Sequence, residues 1–190
     1  MPDIGAAYRH LLPWFLPGLL VFSLLGAAIA RPVGRLFRAS PGLGFSLVFS
    51  LGIVLSATLT PLRGAFNPDA VGGTCDLSRI GLAPLRLLLH IDDTSLNIAM
   101  FVPFGIVIGL LGRSRAKAVL VAVAIALPVL IETTQLLVPS LERGCQSADV
   151  FDNLTGLALG LLFGTVLRWI LDGQAVEPDA TPPGPVPPAA

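Results

Sequence analysis

The sequence predicts an all-α fold, a polytopic transmembrane helix bundle of about five spans, and two observations carry this prediction. Of the 190 residues, 54% are hydrophobic and only 13% are charged, whereas a soluble domain usually carries about 25% charged residues. The apolar residues are gathered in five runs, each close to the length of about 20 residues that a helix needs to cross a bilayer. We therefore expect one membrane domain rather than a soluble core.

Loops rich in charged residues, glycine and proline separate the predicted spans. A short polar N-terminus, residues 1–10, precedes a membrane domain of residues 11–171, and residues 172–190 form a proline-rich tail. This tail is predicted to be disordered because it cannot bury a core. The five spans are 11–30, 43–62, 96–112, 118–138 and 149–171.

The first apolar run has a second interpretation, a cleaved signal peptide, because Ala28-x-Ala30 resembles a cleavage site. The run from Leu11 to Ala30 is longer than a normal signal-peptide core, which favours a retained helix.

Basic residues then predict the orientation, since seven of the twelve lysines and arginines lie in two tight turns and near the end of the fifth span. Cytoplasmic loops carry an excess of basic residues, so these turns are expected in the cytoplasm and the loops 63–93 and 140–148 outside.

The two cysteines, Cys75 and Cys145, both fall in these outer loops. A disulfide between them could form outside the cytosol and would tie the loops together; two free thiols are the alternative. Two separated cysteines and two distant histidines predict no metal site, and no cofactor motif is present. A net charge of zero predicts no nucleic-acid partner.

A carboxylate inside the fourth span is the strongest functional signal. Glu132 follows the apolar stretch Ala118–Ile131 within this span, and an acidic residue costs roughly 2.5–3.5 kcal/mol at the centre of a span. Gln135 shares its helix face, and Pro128, one turn before, could kink the helix and open space. Polar partners on neighbouring helices are therefore expected.

The candidate partners enter the membrane from the same outer side. Asn97 begins the third span, Asp149 and Asn153 begin the fifth, and Arg143 lies in the connecting loop. Arg143 could reach inward and pair with Glu132 or Asp149, while the amides supply hydrogen bonds. The glycines at 105, 109, 156, 160 and 164 would let the third and fifth helices approach closely.

Each residue also has a simpler interpretation. The Asp92–Asp93 pair and Asp149 precede apolar helices and could act as N-caps. Asp152 is expected to face headgroups or water. Asn97 and Asn153 could serve as interhelical hydrogen bonds alone, and Arg143 could be an ordinary loop charge.

The order of these motifs resembles the VanZ-like family. The resemblance covers about 93–160 and includes Asp93-x-x-x-Asn97, Phe101-Val102-Pro103-Phe104-Gly105, Glu132-x-x-Gln135, Arg143, Asp149-Val150 and Asn153-x-x-Gly156-x-x-x-Gly160. Members are integral membrane proteins, and the namesake is associated with resistance to teicoplanin-type glycopeptides. The resemblance implies a multi-pass protein of the bacterial plasma membrane with a role at the cell envelope.

Three functional hypotheses follow. In the first, Asn97, Gln135, Arg143 and Asn153 bind an envelope ligand, such as a lipid-linked or cell-wall precursor, and Glu132 or Asp149 acts as acid or base. In the second, Glu132 is the titrating group of a proton-coupled transporter. In the third, the protein is a non-enzymatic membrane partner whose polar cluster only sets helix register.

Overall fold

Five long apolar helices make up most of the chain that the computed structural model describes, residues 14–62, 73–84 and 92–174. They are α1 (Phe15–Leu36), α2 (Pro41–Thr58), α3 (Asp93–Leu110), α4 (Arg115–Leu137) and α5 (Ser147–Gln174), with a 3₁₀ turn at Pro139–Leu141. All five are long and apolar enough to cross a membrane. Within the described residues no strand forms, and a single bridge joins Asp76 to Gln146. The predicted all-α bundle is confirmed.

Helices α2, α3 and α4 begin two or three residues earlier than their apolar runs predict, because side chains cap their first turns. Ser40, Asp92 and Ser114 each accept a hydrogen bond from the backbone three residues later. Asp92 therefore has the capping role expected of it. The three bonds come from Leu43 (3.3 Å), Ser95 (3.0 Å) and Lys117 (3.1 Å).

The first helix also ends later than predicted, at Leu36 rather than Ala30. Arg31 and Arg35 lie on its last turns instead of in a loop. Arginine is a good helix former, and its long stem can carry the charge away from apolar surroundings. The predicted polar N-terminus and most of the predicted tail lie outside the described residues.

Glycines hold α3 and α5 together along their length. A methyl carbon built on Gly160 would meet the backbone carbonyl of Val102 and lie 2.9 Å from the Cα of Gly105. One built on Gly109 would lie 2.7 Å from the backbone nitrogen of Thr165. The two backbones are therefore in direct contact, as small residues at this spacing permit. Because α3 and α5 run parallel, their polar N-termini lie side by side.

The interior is apolar except near one end. Phe101, Ile108, Leu111, Ile131 and Leu157 are almost completely buried. Many other large apolar side chains face outward, including Leu24 on α1, Val119 on α4 and Leu162 on α5. An outward apolar surface on α1, α4 and α5 is the arrangement that lipid requires.

Gly160→Ala is expected to destabilise the protein by about 1–3 kcal/mol, because the added methyl has no room and the facing backbone cannot yield. Thermal unfolding in detergent measures the effect. Gly173→Ala is the matched control, since a methyl there meets nothing within 4 Å. Equal melting temperatures for the two variants would contradict the packing described.

Candidate functional site

All six predicted site residues lie at one end of the bundle, where α2 and α4 end and α3 and α5 begin; we refer to it as the polar end. Glu132 and Gln135 occupy the last two turns of α4, and Asn97 the second turn of α3. Asp149 and Asn153 are on the first turns of α5. Arg143 is in the loop between α4 and α5. The short α4–α5 connection returns the chain directly to this end.

The Glu132 carboxylate is buried, with 5% of the residue exposed. Its Oε2 accepts a hydrogen bond of 2.7 Å from the backbone N–H of Gln146. Asp149 and Arg143 lie close enough to act on it electrostatically. The residue just before α5 therefore supplies the polar partner that a carboxylate in an apolar helix needs.

Gln135 links α4 to the end of α2. Its Nε2 donates to the carbonyl of Thr58 at 2.9 Å, one of the last carbonyls of α2, which lack partners within the helix. Its Oε1 is buried and has no hydrogen-bond partner among the described residues. The Gln135 side chain thus satisfies a carbonyl at the end of α2, and its own amide oxygen is an unused acceptor among the described residues.

Arg143 binds the same region of α2. Its Nε donates to the carbonyl of Thr60 at 2.9 Å, and its buried Nη2 has no partner in the described part of the chain. Burial lowers the pKa of Arg143, and the Glu132 carboxylate partly offsets that effect. The ion pair with Glu132 or Asp149 considered from the sequence does not form within 4.0 Å. The guanidinium instead donates to the backbone carbonyl of Thr60, just after the end of α2.

Asn97 and Asn153 lie on the two helices that the glycines bring together. The Asn97 amide is beside the Asp149 carboxylate, and Asp93 and Asp152 are also near it. Asn153 is 1% exposed, and its Oδ1 has no hydrogen-bond partner among the residues described. These side chains form a second polar layer next to Glu132.

Arg79 is the residue that the sequence analysis missed. Its guanidinium forms an ion pair with Asp152 and also donates to the carbonyl of Ala148 at 3.3 Å. Asp152, expected to face headgroups or water, is instead 1% exposed. The expectation was wrong because the described part of the loop between α2 and α3 folds back over α5 and supplies a cation.

A disulfide between Cys75 and Cys145 fastens this loop to the start of α5. The backbone N–H of Asp76 donates to the carbonyl of Cys145 (2.8 Å), and that of Ser147 donates to the carbonyl of Asp76 (2.9 Å). Arg79 follows Cys75 by four residues. The cysteine pairing considered from the sequence would therefore have indicated that Arg79 lies near Asp152.

A cavity of about 280 Å³ opens at the polar end. Of the six candidate residues, Gln135 and Arg143 line it. Glu142, also on its wall, has a left-handed backbone with φ 52°. The lining residues are Gly73, Gln135, Leu136, Pro139, Glu142, Arg143 and Cys145. Among the described residues, no group of three or more histidine, cysteine or acidic side chains is placed to hold a metal ion.

Comparison with known proteins gives one match. A family model described as VanZ/LLP1 matches residues 47–168, from within α2 to near the end of α5. The match covers more than half of the 190 residues and confirms the resemblance seen in the polar motifs. Neither the curated proteins nor the solved structures contain a match to the chain.

Arg79→Met is expected to lower the free energy of unfolding by about 3–5 kcal/mol, because it leaves Asp152 buried without a partner. Replacing both residues, Arg79→Met with Asp152→Leu, should recover most of this loss. Unfolding by denaturing detergent measures the differences.

Arg115→Met is the control, because Arg115 is exposed and surface charges contribute roughly 0–1 kcal/mol. An Arg79→Met variant as stable as Arg115→Met would show that the pair with Asp152 is not needed to tolerate the buried carboxylate.

Proposed function

The chain belongs to the VanZ/LLP1 family, and from this we propose that it is a multi-pass protein of the bacterial plasma membrane that binds an envelope ligand at its polar end. The ligand is a lipid-linked or cell-wall precursor with an anionic headgroup. Gln135 and Arg143 bind it, and Glu132 and Asp149 act as acid or base beside it. The proposal includes the association with glycopeptide resistance that the family resemblance carries.

The observation that carries the proposal is a pair of buried polar atoms on one cavity wall that have no hydrogen-bond partner among the described residues. Within that part of the chain, Arg143 has a free donor at Nη2 and Gln135 a free acceptor at Oε1, and both residues line the cavity of about 280 Å³. A buried polar atom without a partner costs about 1–3 kcal/mol. A ligand that satisfies both atoms removes this cost.

The two free atoms define the chemistry of the ligand. The guanidinium requires an anionic oxygen, as in a phosphate or carboxylate, and the amide oxygen requires a nearby hydroxyl or amine. A glycosyl or amino-alcohol phosphate offers both groups. A headgroup of this kind would present its phosphate to Arg143 while its lipid chain stays in the surrounding bilayer.

Glu132 and Asp149 are at the same end of the bundle but do not line this cavity, and their surroundings differ. Glu132 is held by the N–H of Gln146 at 2.7 Å, and Asp149 lies against Asn97 and near Arg79. Two carboxylates in unlike environments are suited to different protonation states, which acid–base chemistry uses. Asn97 and Asn153 keep the α5 side of the site in register.

Binding of a glycosyl undecaprenyl phosphate to the purified protein in phosphatidylcholine nanodiscs tests the proposal. Arg143→Gln should weaken binding about 10-fold or more, because a charged hydrogen bond contributes about 1.5–3 kcal/mol and 1.4 kcal/mol is tenfold. Lysine keeps the charge but lacks the paired donors of the guanidinium, so the affinity of Arg143→Lys should lie between those of the unaltered protein and Arg143→Gln.

Arg115→Gln serves as the control, since it removes an exposed arginine at the other end of the bundle. Its affinity should stay within about twofold of the unaltered protein. If Arg143→Gln and Arg115→Gln bind the lipid phosphate equally well, the proposed site is wrong.

A further inference from the structure

A second cavity, of about 230 Å³, opens at the opposite end of the bundle. We refer to this end, where α1, α3 and α5 end, as the basic end. The cavity lies between the α1–α2 turn and the ends of α3 and α5. Its walls combine two arginines with leucines. The lining residues are Arg38, Ala39, Leu43, Leu110, Gly112, Arg168, Leu171 and Asp172.

Arg38 occupies an unusual backbone position on this wall. Its φ is 52°, in the left-handed region, and it ends α1, where the N–H of Ala39 donates to the carbonyl of Gly34 at 2.8 Å. Glycine or asparagine is normally favoured at such a position because side chains are strained there. The chain instead has an arginine, whose exposed side chain lies at the cavity.

Arg168 is fixed on the opposite wall by neutral and charged partners. Its Nε donates to Asp172 at 3.1 Å, and its Nη1 donates to the carbonyl of Leu110 at 3.1 Å. These bonds hold the guanidinium at the cavity while no bond among the described residues uses its Nη2. A positioned arginine of this kind is suited to binding a phosphate oxygen.

The surroundings of the cavity are strongly cationic. Arg168 and Arg113 both lie near Lys117, and Lys117 closes the end of α3 by donating to the carbonyls of Gly109 (3.0 Å) and Leu111 (2.8 Å). Asp172 is the carboxylate on the cavity wall. The described cations at this end are Arg31, Arg35, Arg38, Arg113, Arg115, Lys117 and Arg168.

We propose that this cavity binds the headgroup of an anionic phospholipid. Arg38 and Arg168 contact the phosphate, and the apolar wall of Leu43, Leu110 and Leu171 accepts the first part of an acyl chain. Basic pockets between membrane helices bind anionic headgroups in this way. The leucines distinguish a lipid from free phosphate, which would gain nothing from an apolar wall. The site is separate from the polar end and independent of its proposed function.

Binding of dioctanoyl phosphatidylglycerol to the purified protein in neutral detergent tests this proposal. Arg38→Gly is the informative variant, because glycine suits the left-handed backbone and removes the guanidinium without harming the helix end. We expect saturable binding that Arg38→Gly weakens at least fivefold. Arg115→Gln, which removes an exposed arginine outside the cavity, should change it less than twofold.

Two further measurements identify the ligand. Dioctanoyl phosphatidylcholine and inorganic phosphate should each bind at least tenfold more weakly than phosphatidylglycerol. Equal losses in Arg38→Gly and Arg115→Gln, no loss in Arg38→Gly, or equal binding of inorganic phosphate would each overturn the proposal.

Discussion

The burial of carboxylates at the polar end is the constraint on which the rest of the structure depends. Glu132 and Asp152 are almost completely buried, and a charge removed from water requires a partner. The α4–α5 loop supplies the N–H of Gln146 to Glu132. The loop between α2 and α3 supplies Arg79 to Asp152, and the disulfide between Cys75 and Cys145 joins these two loops.

The helices, and the end at which the polar residues gather, could be predicted from the sequence because both follow from local patterns. Long apolar runs predict spans, and glycines spaced four apart, such as Gly105 and Gly109, predict close helix contact. That contact brings Asn97 beside Asp149. The family match over residues 47–168 covers the same helices.

The partners of the charged side chains could not be predicted in the same way. Arg143 binds the carbonyl of Thr60 rather than a carboxylate, because backbone acceptors after α2 leave no trace in the residue pattern. Asp152 is buried because a residue 73 positions away in the chain covers it. Such long-range contacts depend on loop conformation and on a covalent bond, so local periodicity carries no information about them.

Toward the basic end the interior is filled by apolar side chains such as Phe104 and Ile108, which are almost completely buried. The central claim is that Glu132 is held by the N–H of Gln146. Amide hydrogen exchange at Gln146 tests it most directly. Exchange should be slow in the unaltered protein and fast in Glu132→Ala, with Asp76 still protected through Cys145. Fast exchange at Gln146 in the unaltered protein would contradict the account.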